Sequence, residues 1–101
     1  ETAEQIIRTS DPKKQKALGR EVKGFKQSVW DKHKLEIVIK GNFFKFSQNE
    51  SLKKQLIDTK NKILVEGSPY DKIWGVGLKW DDSRILDESQ WQGENLLGKA
   101  L

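Results

Sequence analysis

The sequence predicts a small, mainly α domain, more exactly an α+β fold with one short β element. Apolar residues recur at helical spacings through the first half of the chain, whereas a segment rich in Gly, Pro and Trp follows residue 61. The chain has 101 residues, of which 35% are hydrophobic and 34% are charged. Two separate cores would leave too little apolar surface in each. We therefore expect residues 1–101 to form a single compact domain.

Two short helices are predicted at the start of the chain. The first covers residues 1–8, whose apolar side chains share one face. Asp11 is a good N-cap for the second, and Pro12 suits the first helical position because its missing N–H costs no hydrogen bond there. We expect this second helix to run to about Val22, with Gly24 ending it.

A long helix is predicted from Ser28, whose hydroxyl can cap it together with Asp31 in a variant of the capping box. After Trp30 the apolar residues recur at spacings of three, four and seven, which indicates a helix that is buried on a wide face. The run of residues 35–39 also fits a strand, and Gly41 weakens both interpretations.

Three shorter elements complete the prediction. Asn49 or Ser51 is expected to cap a further short helix. Ile63-Leu64-Val65 is a β-type run that ends at Gly67 and supplies the small β element. A last helix is expected over residues 94–101, where leucines stand at helical spacing.

Composition excludes several classes of site. The chain contains no cysteine and one histidine, which excludes disulfide frameworks, thiolate chemistry and multi-histidine metal sites. We interpret the single histidine, His33, as a surface residue rather than a catalyst. We therefore expect no metal and no cofactor.

The partners and the location follow from charge and hydropathy. The longest apolar runs are too short to span a bilayer and no secretory leader is visible, so we expect no membrane partner and a cytoplasmic location. The chain begins at Glu1 and has no methionine, which indicates a part of a longer protein. Its net charge of +4 suits an anionic ligand. General nucleic-acid binding ranks last, because the lysines alternate with Glu and Asp.

The strongest functional signal lies in residues 67–93, which hold four glycines, one proline, three tryptophans and a tyrosine. Gly75 and Gly77, beside Trp74, allow backbone N–H groups to approach a ligand closely. Trp91 can stack on a planar ring. The alternative, a tryptophan-stapled loop packed on the core, fits the spacing equally well.

Three charged residues are candidates for chemistry or binding. Asp71 lies near an indole, and the partial desolvation there suits an acid or base role; spacing alone favours the alternative, a residue that caps an Asx-type turn. Lys16 and Arg20 are four residues apart and share a helix face that can hold a phosphate. The alternative for this pair is a solvated basic face, which is the usual outcome.

A set of motifs follows one another in an order that carries a resemblance. They are Lys16-Ala17-Leu18-Gly19-Arg20, Trp30-Asp31, Lys45-Phe46-Ser47-Gln48-Asn49, Leu64-Val65-Glu66, Ser68-Pro69-Tyr70-Asp71-Lys72-Ile73-Trp74-Gly75-Val76-Gly77 and Trp91-Gln92-Gly93-Glu94-Asn95-Leu96-Leu97-Gly98-Lys99-Ala100-Leu101. The arrangement resembles the NADAR family, also called the YbiA-like family, over essentially all 101 residues. It corresponds to about the C-terminal two thirds of a typical member. The resemblance therefore implies a YbiA-like compact single domain that lacks an N-terminal segment.

The resemblance implies an N-glycosidase that hydrolyses a ribosyl C–N bond in a phosphorylated ribosyl compound. Two small-molecule substrate groups are implied: phosphoribosylamino-pyrimidine intermediates of riboflavin synthesis, and ADP-ribosyl groups on guanine, including guanine in ADP-ribosylated nucleic acid. Members also carry an upstream glutamate that is a leading catalytic candidate and lies outside this sequence. The other hypothesis is a non-catalytic module that binds ADP-ribose or a nucleotide.

This reaction gives expected roles to residues of this chain. Asp71 is the best candidate in the chain for the catalytic carboxylate, and the resemblance makes Lys16 a second catalytic candidate that holds phosphate or reacts as an amine with the opened sugar. Glu66 is a further carboxylate with less weight. The expected substrate-binding residues, among them an indole wall for the base and an amide for a ribose hydroxyl, are Arg20, Trp30, Trp74, Gly75, Gly77, Trp91 and Asn95.

Overall fold

The computed structural model describes residues 1–101 and confirms a mainly α fold. Its α-helices are α1 (Thr2–Arg8), α2 (Pro12–Gly19), α3 (Gln27–Ser47), α4 (Glu50–Ile57) and α5 (Leu96–Ala100), with two 3-10 turns at Ser83–Leu86 and Glu88–Gln90. The chain divides into two compact units, Glu1–Lys32 and His33–Leu101, which are described in turn. No helix combines the length and the apolar character that crossing a bilayer requires.

The first unit contains α1 and α2, which pack against each other. The predicted cap is confirmed: the Asp11 carboxylate accepts a hydrogen bond from the Lys13 N–H at 3.0 Å, and Pro12 is the first residue of α2. The Gln15 side-chain amide donates to the carbonyls of Ile6 at 3.2 Å and Thr9 at 2.7 Å. One glutamine thus ties the end of α1 to α2.

Helix α2 ends at Gly19, three residues before the predicted Val22. The Arg20 N–H is shared between the carbonyls of Lys16 at 3.3 Å and Ala17 at 3.2 Å, which tightens the last turn and stops the helix. Gly24 then takes a φ of +74°, a conformation that favours glycine.

Helix α3 is confirmed as one long helix, and it passes through both the 35–39 run and Gly41 without becoming a strand. Its predicted start is wrong. The helix begins at Gln27, so Ser28 lies inside the first turn, and the Gln27 side-chain amide donates to the Asp31 carboxylate at 2.8 Å. The wide buried face is also wrong, because no residue of α3 is buried.

Helix α4 follows Asn49, as predicted, but the Asn49 side chain does not cap it. Its amide instead donates backwards to the Lys45 carbonyl at 2.6 Å, which closes the end of α3. At the other end of α4 the Thr59 hydroxyl donates to the Leu56 carbonyl at 2.6 Å.

The small β element predicted at Ile63-Leu64-Val65 is wrong, since the structure contains no strand. This stretch forms no regular element and has no partner strand. The Glu66 N–H donates to the Asn95 side-chain oxygen at 3.0 Å, and the Leu64 carbonyl accepts from the Asn95 amide nitrogen at 2.9 Å. The Asn95 side chain, at the start of α5, therefore makes the hydrogen bonds that a neighbouring strand would make in a β-sheet.

The core of the second unit lies in a segment without regular structure. Val76 is 0% exposed and Leu78 is 2% exposed, and they are the two buried hydrophobic residues of the chain. Asn95 is the one buried polar residue. These residues fix the loops that carry most of the predicted site.

Candidate functional site

The turn at Asp71 begins the site. One Asp71 carboxylate oxygen, Oδ1, accepts hydrogen bonds from the N–H groups of Ile73 at 3.0 Å and Trp74 at 2.8 Å. This geometry is that of an Asx-type turn. The other oxygen, Oδ2, has no protein partner, so half of the carboxylate stays available to a ligand.

The start of α5 is joined to the turn that follows Asp71. The Asn95 N–H donates to the Gly75 carbonyl at 3.0 Å, and the Leu97 N–H donates to the Trp74 carbonyl at 3.1 Å. The Gln92 N–H donates to the Val76 carbonyl at 2.9 Å. The first N–H groups of a helix normally lack hydrogen-bond partners within the helix, but here they donate to backbone carbonyls of the turn. These groups therefore serve to hold the turn.

The glycines of the site serve close packing of the chain. A Cβ on Gly75 would lie 2.8 Å from the Asp71 carbonyl oxygen and 2.9 Å from the Glu66 carbonyl oxygen. Gly77 has a φ of +70°, and both glycines are buried. A side chain on Gly93 would collide with the backbone of Gly75. Small size at these positions lets two loops approach to backbone contact.

Asn95 occupies the centre of this arrangement. It is 2% exposed and has a φ of +53°, in the left-handed region that Asn tolerates better than most residues. Its side-chain oxygen accepts a hydrogen bond from the Glu66 N–H, and its amide nitrogen donates to the Leu64 carbonyl. The ribose contact expected for this side chain stays a proposal, and its observed contacts are with the protein backbone.

The tryptophans differ in how firmly they are held. Trp91 is half-buried, and its indole N–H donates to the Ile85 carbonyl at 2.8 Å. Trp74 is also half-buried, whereas Trp80 is 75% exposed. Trp91 therefore presents a fixed aromatic surface, as stacking on a planar ring requires.

A groove of about 460 Å³ runs beside Trp91. Asn95 also borders it, together with apolar and basic side chains; the lining residues are Leu56, Thr59, Lys60, Lys62, Ile63, Leu64, Glu88, Trp91, Asn95, Gly98, Lys99 and Leu101. None of its three lysines is paired with an acidic side chain. The groove thus combines an indole and an apolar floor with an excess of positive charge.

The site prediction missed these lysines. Lys60 and Lys62 directly precede the Ile63-Leu64-Val65 run, and Lys99 follows Asn95 by one helical turn. The second spacing indicates a shared helix face. That spacing was the available signal, whereas the approach of residues 60–62 to α5 depends on the tertiary structure.

Asp82 and Asp87 cap the two 3-10 turns that precede Trp91. Hydrogen bonds from the Arg84 side chain and backbone lower the pKa of Asp82 to about 2. The Ser89 hydroxyl, with further hydrogen bonds from Gln90 and the Ser89 backbone, lowers the pKa of Asp87. Both carboxylates are held in the charged form, which suits capping rather than proton transfer.

The remaining predicted residues lie in the first unit. Lys16 and Arg20 are exposed near the end of α2. Trp30 is half-buried in the first turns of α3 and borders a shallow hollow of about 320 Å³ with Gly24 and Phe25. The structure therefore brings together Asp71, Trp74, Gly75, Gly77 and Asn95 through backbone bonds and packing, and it brings Trp91 and Asn95 to one groove.

Comparison with known proteins gives a consistent result. The NADAR domain matches residues 1–101. An N-glycosidase of Acanthamoeba polyphaga mimivirus is 51% identical over 96 residues, which cover 95% of this chain and 56% of that protein. The protein irg-1 of Caenorhabditis elegans is 42% identical over 101 residues, covering 98% and 48% respectively.

A more distant relative is the chloroplastic riboflavin biosynthesis protein PYRR of Arabidopsis thaliana. It is 30% identical over 102 residues, covering 97% of this chain and 15% of that protein. The chain spans about half the length of the first two relatives. On the match over its whole length, the chain belongs to the NADAR family, which includes proteins named N-glycosidase.

Proposed function

We propose that the protein is an N-glycosidase that hydrolyses the ribosyl C–N bond of a phosphorylated ribosyl compound. The substrate classes are phosphoribosylamino-pyrimidine intermediates of riboflavin synthesis and ADP-ribosyl-guanine, the latter free or in nucleic acid. Family membership and the N-glycosidase name of a 51% identical relative support the reaction class. The riboflavin biosynthesis name of another relative supports the first substrate class.

One observation from the structure carries the proposal: the groove beside Trp91. A phosphorylated ribosyl compound joins a planar base to one or more phosphates. The groove offers a fixed indole for the base and three lysines without ion-pair partners for the phosphates. Lysine ammonium groups bind phosphate oxygens by charge-assisted hydrogen bonds.

The chemistry needs negative charge close to the anomeric carbon. Cleavage of a glycosidic bond passes through an oxocarbenium-like state, which a carboxylate stabilises. Asp71 is our first candidate, because its turn fixes one oxygen and leaves the other free of protein contacts. Lys16 is the second candidate, as a phosphate ligand or as an amine that reacts with the opened sugar.

The proposed binding residues divide between base and phosphate. Trp74 and Trp91 contact the base, with Gly75 and Gly77 shaping the turn beside them. Arg20 is a further proposed ligand for phosphate, and Trp30 is a further proposed indole for the base.

The test is a hydrolysis assay on the full-length protein with both substrate classes. We expect one of them to release its base, measured by chromatography. Asp71→Asn should lower kcat by more than about tenfold, since general acid–base groups contribute about a hundredfold or more. Arg8→Gln, in the last turn of α1, is the control and should leave the rate unchanged. No release of base from either substrate would contradict the proposal.

The second candidate is a non-catalytic module that binds ADP-ribose or a nucleotide. One observation favours it: the Asn95 amide and one carboxylate oxygen of Asp71 are hydrogen-bonded to backbone groups, so they hold the protein's own loops. Calorimetric titration with ADP-ribose distinguishes the two functions. Binding without product formation in the assay above would support the module and exclude the enzyme.

A further inference from the structure

Glu66 is held by its backbone from three directions. Its N–H donates to the Asn95 side chain at 3.0 Å, and its carbonyl accepts from the N–H groups of Ser68 and Val76, both at 3.0 Å. The origin of the Glu66 side chain is therefore set by the fold.

The Glu66 side chain extends from this fixed point along Gly75. A Cβ on Gly75 would lie 3.3 Å from the Glu66 Cγ atom. Glu66 is half-buried, and no protein group donates a hydrogen bond to its carboxylate. A carboxylate that is positioned but unpartnered is available to a ligand.

Glu66 and Asp71 flank the same glycine. The carbonyl oxygens of Glu66 and Asp71 lie 2.9 Å and 2.8 Å from the position of a Cβ on Gly75. The backbones of Glu66 and Asp71 thus pack against one glycine beside Trp74. Paired carboxylates around the scissile bond are the usual arrangement for glycoside hydrolysis.

We propose that Glu66 is a second catalytic carboxylate of the site and that Asn95 is the residue that positions it. This inference rests on the proposed N-glycosidase function. Asn95 bridges the Leu64 carbonyl and the Glu66 N–H, so it determines where the Glu66 side chain starts. In this role Asn95 acts through Glu66 and needs no contact with the substrate.

The step assigned to Glu66 is the activation of water. The bond between the anomeric carbon and the base nitrogen breaks, and its electron pair leaves with the nitrogen. Water then bonds to the anomeric carbon and transfers a proton to Glu66, which returns it to the departing base. One water molecule thus supplies the new hydroxyl of the sugar and the proton on the released base, so atoms and charge balance.

The test is a double-mutant cycle in the full-length protein, with the substrate that the wild type hydrolyses. Glu66→Gln should lower kcat by about a hundredfold or more. Asn95→Gly keeps the left-handed backbone conformation but removes the amide. We expect it to lower kcat by about tenfold to a hundredfold, with KM changed by less than about threefold, because misplacement of a reacting group affects the rate rather than binding.

The cycle separates positioning from general structural damage. With Glu66→Gln already present, Asn95→Gly should lower kcat by less than about twofold further, since the two residues act as one unit. Asn95→Asp retains an acceptor for the Glu66 N–H and should recover part of the kcat that Asn95→Gly loses. Thermal unfolding of each variant corrects kcat for the folded fraction.

Asn42→Ala is the matched control. The Asn42 amide also donates to a backbone carbonyl, that of Val38 at 2.9 Å, but within α3. Its loss should leave kcat unchanged.

Three results would overturn the inference while leaving the proposed function intact. They are near wild-type kcat in Glu66→Gln, a raised KM at unchanged kcat in Asn95→Gly, and equal losses of kcat from Asn95→Gly in both backgrounds. A wild-type protein that hydrolyses neither substrate overturns the proposed function, and this inference with it.

Discussion

Helix α3 and the irregular segment around Gly75 differ in burial, and it is the irregular segment rather than the long helix that holds the buried side chains. The longest regular element of the chain, with 21 residues, has no buried side chain, and Phe43 within it is 66% exposed. The segment that follows Asp71 forms neither helix nor strand, yet it contains Val76 and Leu78, the buried hydrophobic residues. Regular secondary structure and a fixed tertiary position are separate properties in this chain.

The difference lies in the distance along the sequence that the hydrogen bonds bridge. Bonds within α3 join residues one turn apart, and they form in isolated helices as well. The amide of Asn95 reaches residues 29 and 31 positions away. Such bonds exist only when the whole segment is folded. The fold of the irregular segment therefore depends on a few side chains, such as that of Asn95, and on glycines, which have no side chain.

Two helical glycines provide the largest expected contrast. A Cβ on Gly98, in α5, would overlap the Leu64 carbonyl oxygen and the Asn95 amide. Gly98→Ala should lower the free energy of unfolding by about 3 kcal/mol, because neither the backbone nor a buried amide can give way. A Cβ on Gly41, in α3, would meet nothing within 4 Å. Gly41→Ala should raise the free energy of unfolding by about 0.5–1 kcal/mol through helix propensity.

Urea denaturation of both variants of the full-length protein, followed by circular dichroism, measures this contrast. Equal and small effects at Gly98 and Gly41 would show that the approach of α5 to Leu64 is not part of the folded state. A loss at Gly41 would show instead that the exposed face of α3 has a close neighbour.

Buried and exposed aliphatic residues give the next largest contrast. Val76→Ala removes two methyl groups from a fully buried position and should lower the free energy of unfolding by about 2 kcal/mol. Ile57→Ala, at a residue that is 62% exposed at the end of α4, should change it by less than about 0.5 kcal/mol. The same denaturation measurement applies. A larger loss at Ile57 than at Val76 would contradict the assignment of the core to the irregular segment.

The sequence was sufficient to predict the elements whose signals are local. The cap by Asp11 and Pro12 identifies the start of α2 because both act on their own first turn. The spacing of apolar residues identifies α3 as a helix for the same reason. The buried face predicted for α3 fails, because periodicity shows that a face is apolar but does not show what packs against it.

The missing β element has a related explanation. A run such as Ile63-Leu64-Val65 favours an extended backbone. Whether it becomes a strand depends on a partner, and the partner here is the side chain of Asn95. A contact over about thirty positions leaves no periodic signal in the sequence.

The candidate site depends on contacts of both kinds. Trp91 and Asn95 were predicted to bind the substrate; both border the groove, and their contact with a substrate stays a prediction. Sequence analysis did not identify Lys60 or Lys62, because an isolated lysine before an apolar run is common on any surface. The ribose contact predicted for Asn95 is untested, and the contacts of its amide in the structure are with the backbone.

The smallest expected effect tests whether local bonds matter less than distant ones within the irregular segment itself. Asp82 accepts hydrogen bonds from Arg84, two residues away, and these lower the pKa of Asp82 from 3.8 to about 2. A lowered folded-state pKa means that the charged form stabilises the fold. This contribution is complete above the unfolded-state value and is lost as the pH falls through about 2. Asp82→Asn should therefore lower the free energy of unfolding slightly near neutral pH and not at all at the acid end.

The measurement is urea denaturation of wild type and Asp82→Asn at intervals from about pH 6 to about pH 2. The difference in the free energy of unfolding should be constant down to about pH 4 and then shrink toward zero. Asp81→Asn is the control, since Asp81 faces Lys79 at 3.8 Å with both side chains at least half exposed, and such pairs contribute little. A difference for Asp82→Asn that exceeds the loss for Val76→Ala would show that the local cap, rather than the long-range bonding, holds this part of the chain.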